Sequence, residues 1–218
     1  MHDMGALSGK IICQRLEEHK NLEARLVVSP LLEPEEQLRE DQASIDVRLG
    51  FQFALVAPSA YGAINEFDSD LKDTEEVPLS NLYKKHYVPF GSEIIIHPHQ
   101  FILAETLEYI RLPSDMMAYV VGRSTWGRLG LIVATAIGIH PGFAGVLTLE
   151  LRNLGETPLA LHPGQQIAQL FFHLVDSGDA NADVFGQYSG SVDILPRKMS
   201  SQKTRKKILK LISHKKNN

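Results

Sequence analysis

Two guanidiniums, two adjacent hydroxyls and one strand carboxylate fall within about thirty residues of one another. Arg123, Ser124, Thr125 and Arg128 lie in Gly122-Arg123-Ser124-Thr125-Trp126-Gly127-Arg128-Leu129-Gly130, and Glu150 in Gly145-Val146-Leu147-Thr148-Leu149-Glu150-Leu151. Guanidinium forks and hydroxyls hold phosphate oxygens, and a carboxylate relays protons. The set suits a polyphosphate ligand with a proton transfer beside it. Plainer readings stand next to this one. Ser124 can simply cap a helix, Arg128 can pair on the surface, and an acid on the outer side of a strand, as Glu150 is placed, is ordinarily solvated.

The elements that must carry these groups are short. Met116 to Val121 reads as a strand running into the Gly122 segment, and Arg123 to Arg128 opens a helix, where free backbone N–H groups favour an anion. From Val146 to Leu151, alternation sends the three leucines to one face and Val146, Thr148 and Glu150 to the other. Upstream, Leu7, Ile11, Ile12 and Leu16 form a helical stripe between Leu7 and His19, with Ser8 as its cap. Leu26 to Val28 is a strand, Leu31 to Gln42 a polar loop entered at Pro34, and Ser44 to Val56 a half-buried strand by its alternation. Residues 58–90 form a long polar excursion. Strand signals return at Ile94 to Ile96 and Phe101 to Leu103, on either side of a His-Pro-His turn, and again at Leu131 to Val133, Leu159 to Leu161 and Ile167 to Leu174. Many short strands with frequent turns and one or two helices predict an all-β barrel or sandwich.

With 218 residues, 44% hydrophobic and 22% charged, the chain has the composition of one globular domain. No apolar run approaches the roughly 18 residues of a membrane span. The N-terminus lacks the layout of a secretory signal, so a cytoplasmic protein with no membrane partner is expected. Cys13 is the one cysteine, which excludes an intrachain disulfide. His97 and His99 lie two apart without a third ligand nearby, and no metal site is assigned. The formal charge of −4 conceals a basic tail: nine Lys or Arg and no acid follow from Arg197 onward, leaving 13 basic against 26 acidic side chains before it. Residues 1–196 are therefore read as the domain, with a small, polar, mobile arm at 177–196, and residues 197–218 as a tail able to form a short amphipathic helix. Such a charge run is ordinarily solvated; binding nucleic acid is the less favoured alternative.

The Gly122 and Gly145 segments resemble the signature of the dCTP deaminase branch of the trimeric dUTPase superfamily. Ser44-Ile45-Asp46-Val47-Arg48-Leu49-Gly50 is similar to the family's early strand, Ile96 to Gln100 with Glu105-Thr106-Leu107-Glu108 to its middle, and Leu161 to Leu170 to its late strand pair. The likeness spans roughly residues 40 to 175. It implies a distorted jelly-roll or β-barrel of the dUTPase type, here with a short N-terminal helix and a basic C-terminal tail. It further implies a homotrimer with sites between subunits, dCTP as substrate, and hydrolytic deamination to dUTP and ammonia. Magnesium would ride on the triphosphate. Zinc is not expected, because the His-x-Glu and Pro-Cys-x-x-Cys of the zinc deaminases are absent.

By the same resemblance Glu150 relays protons, Ser124 holds the water or the base edge, Arg128 organises the site around Glu150, and the carbonyl of Ala136 holds the catalytic water. Arg123, Ser124, Thr125, Arg128, His140, Thr148, Leu149, Gln187, Tyr188 and Ser191 bind the nucleotide. The chain also departs from the pattern. Thr125 replaces a serine, the loop from Leu131 to Thr135 is one residue short, and Gly138 stands where single-activity members often carry arginine. His140 stands where the family has an aspartate that contacts the sugar 3′-hydroxyl and, in dUTP-hydrolysing relatives, activates water. In the arm, Gln187 and Ser191 replace a lysine and a glutamine around Tyr188. Two alternatives follow: a bifunctional deaminase and dUTP pyrophosphatase, and a nucleotide-binding regulator without catalysis.

Overall fold

The computed structural model describes residues 5–18, 20–56, 83–135, 138–175 and 210. The chain forms two compact units, residues 1–55 with 85–195 and residues 56–84 with 196–218. Every candidate from Arg123 to Glu150 belongs to the first. A leading helix, α1 (Gly9–Leu16), buries Ile12, and its Ser8 hydroxyl makes no capping bond. Strands β1 (Val27–Ser29), β2 (Ser44–Val56), β3 (Tyr83–Tyr87), β4 (Ile94–Ile96), β5 (Phe101–Arg111), β6 (Met116–Gly122), β7 (Leu131–Val133), β8 (Gly138–Ile139), β9 (Ala144–Asn153), β10 (Leu159–Leu161) and β11 (Gln166–Leu174) follow. Two single turns of helix interrupt them, α2 (Pro34–Gln37) and α3 (Ser124–Gly127).

The main sheet runs β7-β9-β5-β2-β11-β6-β8, with β1 added on β5 and β3 on β2; β10 and β4 form a separate pair. Neighbours along that path are antiparallel. Strand twist accumulates over so wide a sheet and rolls it up. The curl brings β7 back to β6, where a Cβ on Gly122 would lie 3.1 Å from Val133 Cγ2. Inside pack fully buried side chains such as Ile45, Leu49, Phe53, Ile102, Leu149 and Phe172. Along β9 the alternation is regular, with Leu147, Leu149 and Leu151 buried and Thr148 and Glu150 half-buried.

Strand β5 bends in mid-sheet. Its pairing with β2 slips between Leu49 and Phe53, and its pairing with β9 between Glu105 and Tyr109. A slip orphans backbone N–H groups that a regular ladder satisfies. Side chains of β5 fill the gaps. The Gln52 N–H donates to Glu105 Oε1 at 3.1 Å, the Leu147 N–H to Thr106 Oγ1 at 2.9 Å and the Arg48 N–H to Glu108 Oε2 at 2.8 Å. Glu108 is fully buried. Burial pushes its carboxyl above the usual carboxylate range, opposed by the N–H of Arg48, the Arg48 charge and Gln37. Gln37 Nε2 donates to Glu108 Oε1 at 2.9 Å, Arg48 Nη1 lies 3.8 Å from the same oxygen and donates to Gln37 Oε1, and Arg48 Nη2 reaches Glu33 Oε2 at 2.6 Å.

Three sequence readings are revised, the first two by this network. Leu31 to Gln42 is not all loop: α2 forms because Pro34 suits a first turn and Gln37 is drawn into the buried cluster. Ser44 to Gly50 does not alternate: every one of these residues is buried, because Glu33, Gln37 and Arg123 cover Arg48 and Asp46 on the face turned from the core. Strand β3 lies within the stretch read as an excursion. The arm at 177–196 lies outside the described residues, and so does the basic tail apart from Lys210.

Replacing Arg48 with Met leaves the Glu108 carboxylate buried without its cation, and the expected cost is about 3–5 kcal/mol. Thr106→Val orphans the Leu147 N–H at an expected cost of about 1–3 kcal/mol. Urea denaturation followed by circular dichroism measures both. Losses below about 0.5 kcal/mol, the scale of ordinary surface substitutions, would show that the bend in β5 does not rest on these groups.

Candidate active site

Arg123 follows directly on the residue where the sheet closes. Its N–H donates to Ile167 O at 3.1 Å, a last rung on β11. Its guanidinium is held by two strands, Nη1 donating to Asp46 Oδ2 on β2 and to Gln166 Oε1 on β11. The register explains the meeting. Asp46 opposes Gln169, which opposes Val121, so Asp46 shares a face with the side chain two residues on, Arg123. A slip between Gln166 and Ala168 adds a residue to β11 and brings Gln166 to that face as well. The Asp46 side chain is 7% exposed and that of Arg123 29%.

The next residues make the single turn α3, with Arg123 as its N-cap. Ser124 is therefore the first helical residue and not the cap; it and Thr125 are exposed. Four residues carry little macrodipole, so an anion here is held by guanidiniums and hydroxyls and not by a helix end. Trp126 anchors the turn: its ring packs on the core and its Nε1 donates to Gln166 O at 2.9 Å. The chain leaves through Gly130 at φ 92°, where a Cβ would sit 2.6 Å from Gly155 N, so only glycine fits. Arg128 is exposed and makes no ion pair among the described residues.

Glu150 stands on β9, opposite Leu103 of β5, at the edge that β7 covers. Thr135 and Ala134 lock its backbone: the Glu150 N–H donates to Thr135 Oγ1 at 2.9 Å, and its carbonyl accepts from the Ala134 N–H at 2.7 Å. The carboxyl is half-buried, and burial raises it above the ordinary glutamate range. Among the described residues no cation of the same chain pairs with it. Thr148 is half-buried two residues earlier, whereas Leu149 is fully buried in the core, leaving only its backbone to meet a ligand.

His140 is exposed at the head of a turn in which the Phe143 N–H donates to His140 O at 3.2 Å. Pro141 with Gly142 at φ 76° gives this turn its type II character. Ala136, Gln187, Tyr188 and Ser191 lie outside the described residues. Among the described residues no three of His, Cys, Asp or Glu converge as metal ligands.

The fold thus sets a turn bearing guanidiniums and hydroxyls at the end of β6 and a sheltered carboxyl at the edge of β9, on either side of one seam. A Cβ on Gly122 would meet Val133 across it; Arg123 follows Gly122 in the chain, and Glu150 precedes Leu151, the β9 partner of Val133. Asp46, Gln166, Trp126 and the Thr135 hydroxyl were not among the sequence-derived candidates. An acid inside an otherwise apolar strand, as in Ile45-Asp46-Val47, was the legible signal for Asp46.

Comparison with known proteins gives this geometry a context. The sequence model of a family described as dCTP deaminase-like matches residues 7–175. A protein of Methanobrevibacter smithii named "dCTP deaminase, dUMP-forming" is 40% identical over 170 residues, which cover 78% of this chain and 80% of that protein. The dCTP deaminase of Natronomonas pharaonis is 38% identical over 167 residues, covering 76% of this chain and 78% of that one. Among solved structures, the 2′-deoxycytidine 5′-triphosphate deaminase from Agrobacterium tumefaciens superposes with a TM-score of 0.56 at 22% identity, over 78% of this chain and 48% of that chain. That likeness is one of fold, and it agrees with the expected all-β class.

A carboxyl raised by burial keeps its proton to higher pH. The expected titration midpoint of Glu150, followed by carbon NMR of labelled carboxyls, therefore lies above the ordinary glutamate value. A midpoint at or below that value would mean the side chain is solvated as surface strand acids are.

Proposed function

The chain belongs to the dCTP deaminase-like family, and from that membership and the geometry of the seam we propose that it hydrolyses dCTP to dUTP and ammonia. The observation that carries the reading is Glu150, a half-buried carboxyl that burial raises and that pairs with no cation of its own chain among the described residues, in a chain that also presents a turn equipped to hold phosphates. In the proposed reaction the carboxylate takes a proton from water as the water oxygen bonds to C4 of cytosine. It then returns the proton to the amino nitrogen, the C–N bond breaks and ammonia leaves. A pKa lifted by shelter suits a group that must be base and then acid. Ser124 holds the water or the base edge, the Ala136 carbonyl helps hold the water, and Arg123, Thr125 and Arg128 hold the phosphates and order the site.

Among the described residues Glu150 has no cation of its own chain and the exposed Arg128 no acid, which supports a site shared between subunits. The proposal is a homotrimer in which one protomer supplies the α3 turn and its neighbour Glu150. Magnesium arrives on the triphosphate, and no step is assigned to zinc. The proposed product is dUTP, because His140 offers an imidazole where hydrolysis next to the α-phosphate calls for a fixed carboxylate. A second reading, onward hydrolysis to dUMP and pyrophosphate, is favoured by the dUMP-forming name of the Methanobrevibacter relative.

Purified protein given dCTP and magnesium is expected to release ammonia and accumulate dUTP, with dUMP only a trace. Equal rates of pyrophosphate release and deamination would establish the second reading. Nucleotide bound without turnover would make the protein a binding module. Glu150→Gln is expected to lose about 100-fold or more in kcat, the usual worth of a general acid–base group. Because the ionised carboxylate must act first, kcat/KM is expected to fall with decreasing pH at a midpoint above the ordinary glutamate value. Mixing inactive Arg128→Ala and Glu150→Gln proteins is expected to restore part of the activity. No recovery from a mixture shown to exchange subunits would defeat the shared site.

A further inference from the structure

Asp46 and Gln166 take no part in the reaction proposed above, yet both act on one of its residues. A guanidinium offers five N–H donors in a planar fork. Both hydrogens of Arg123 Nη1 are committed within the chain, one to Asp46 Oδ2 and one to Gln166 Oε1. Acceptors on two different strands fix the plane of the group as well as its position, which a single acceptor cannot do. The edge formed by Nε and Nη2, whose parallel N–H groups match two oxygens of a phosphate, has no partner among the described residues.

The arrangement is built, not incidental to an exposed pair. The Asp46 side chain is 7% exposed, and its Oδ1 is buried without a hydrogen-bond partner, so the carboxylate relies on Arg123 for its balance of charge. The slip in β11 falls at the residue that delivers Gln166. The backbone carbonyl of that same Gln166 accepts from Trp126 Nε1. One residue thus clamps both the guanidinium and the turn that carries Ser124, Thr125 and Arg128.

We propose that Asp46 and Gln166 are positioning residues for phosphate recognition, orienting Arg123 so that its Nε–Nη2 edge receives a phosphate of the nucleotide. The proposal rests on the deaminase reading, and calorimetric binding of dCTP to the full chain tests the two separately. Asp46→Asn is expected to raise the Kd for dCTP about tenfold, the worth of a charge-assisted hydrogen bond. Gln166→Ala is expected to raise it by a smaller factor. In an Arg123→Ala background, Asp46→Asn should change the Kd by less than about twofold, because a residue acting through Arg123 has nothing left to orient. Thermal melts confirm that each variant is folded. Should Asp46→Asn fail to fold, the half-buried Gln166 carries the same cycle. Wild-type affinity in the folded single variants, or the same loss with and without Arg123, overturns the proposal. Wild-type protein that binds no dCTP overturns the deaminase reading, and this inference with it.

Discussion

The fold depends on a bend in one strand. Strand β5 lies between β2 and β9, and a regular ladder on both sides would hold the sheet's centre straight. Glu105, Thr106 and Glu108 let it slip against both neighbours by giving their own oxygens to the N–H groups of Gln52, Leu147 and Arg48. The slip is tolerable only because Glu108, taken wholly out of water, is met by Gln37 and Arg48. That requirement explains why a polar segment turns into α2 and why a charged residue lies buried in mid-strand.

The consequences travel to the seam. A sheet curled in this way brings Gly122 against Val133; Arg123 follows on β6, and the bond between Thr135 and Glu150 lies just past the end of β7. The two halves are prepared differently. Arg123 is held by charge-assisted bonds to two strands and reaches the seam with its orientation set. Glu150 has its backbone tied, and among the described residues its carboxyl meets shelter without a counter-charge. An oriented cation suits binding, and a carboxyl whose proton is easily kept or lost suits transfer.

Buried polar groups therefore divide into two kinds in this protein. Arg48, Glu108 and Gln37 satisfy one another and close a structural account. Asp46 is satisfied on one oxygen only, and through Arg123 it faces the seam. One member of each kind, Arg48 and Asp46, comes from the same short segment, Ser44 to Gly50, where residues two apart serve the frame and the site.

Much of this was legible in the sequence. Apolar alternation over Val146 to Leu151 located β9 and put Glu150 on the face away from the core, because side-chain direction in a strand has a fixed period of two. Glycines, prolines and the run of short apolar segments marked an all-β chain, and Gly122 to Gly130 marked the turn that carries the guanidiniums. Other features depend on partners distant in the chain, and no local pattern states them. Gln37 is buried because a carboxylate 71 positions away requires a donor. Ser44 to Gly50 lost its alternation because side chains from elsewhere in the chain, Glu33, Gln37 and Arg123, cover the face of that segment turned from the core. Arg123 meets Asp46 because β2, β11 and β6 pair in one register, and Gln166 because a one-residue slip changes which way a β11 side chain points. Local sequence determined the elements and the chemistry each could offer; register and curl, which exist only once strands from across the chain have paired, decided which of those groups meet.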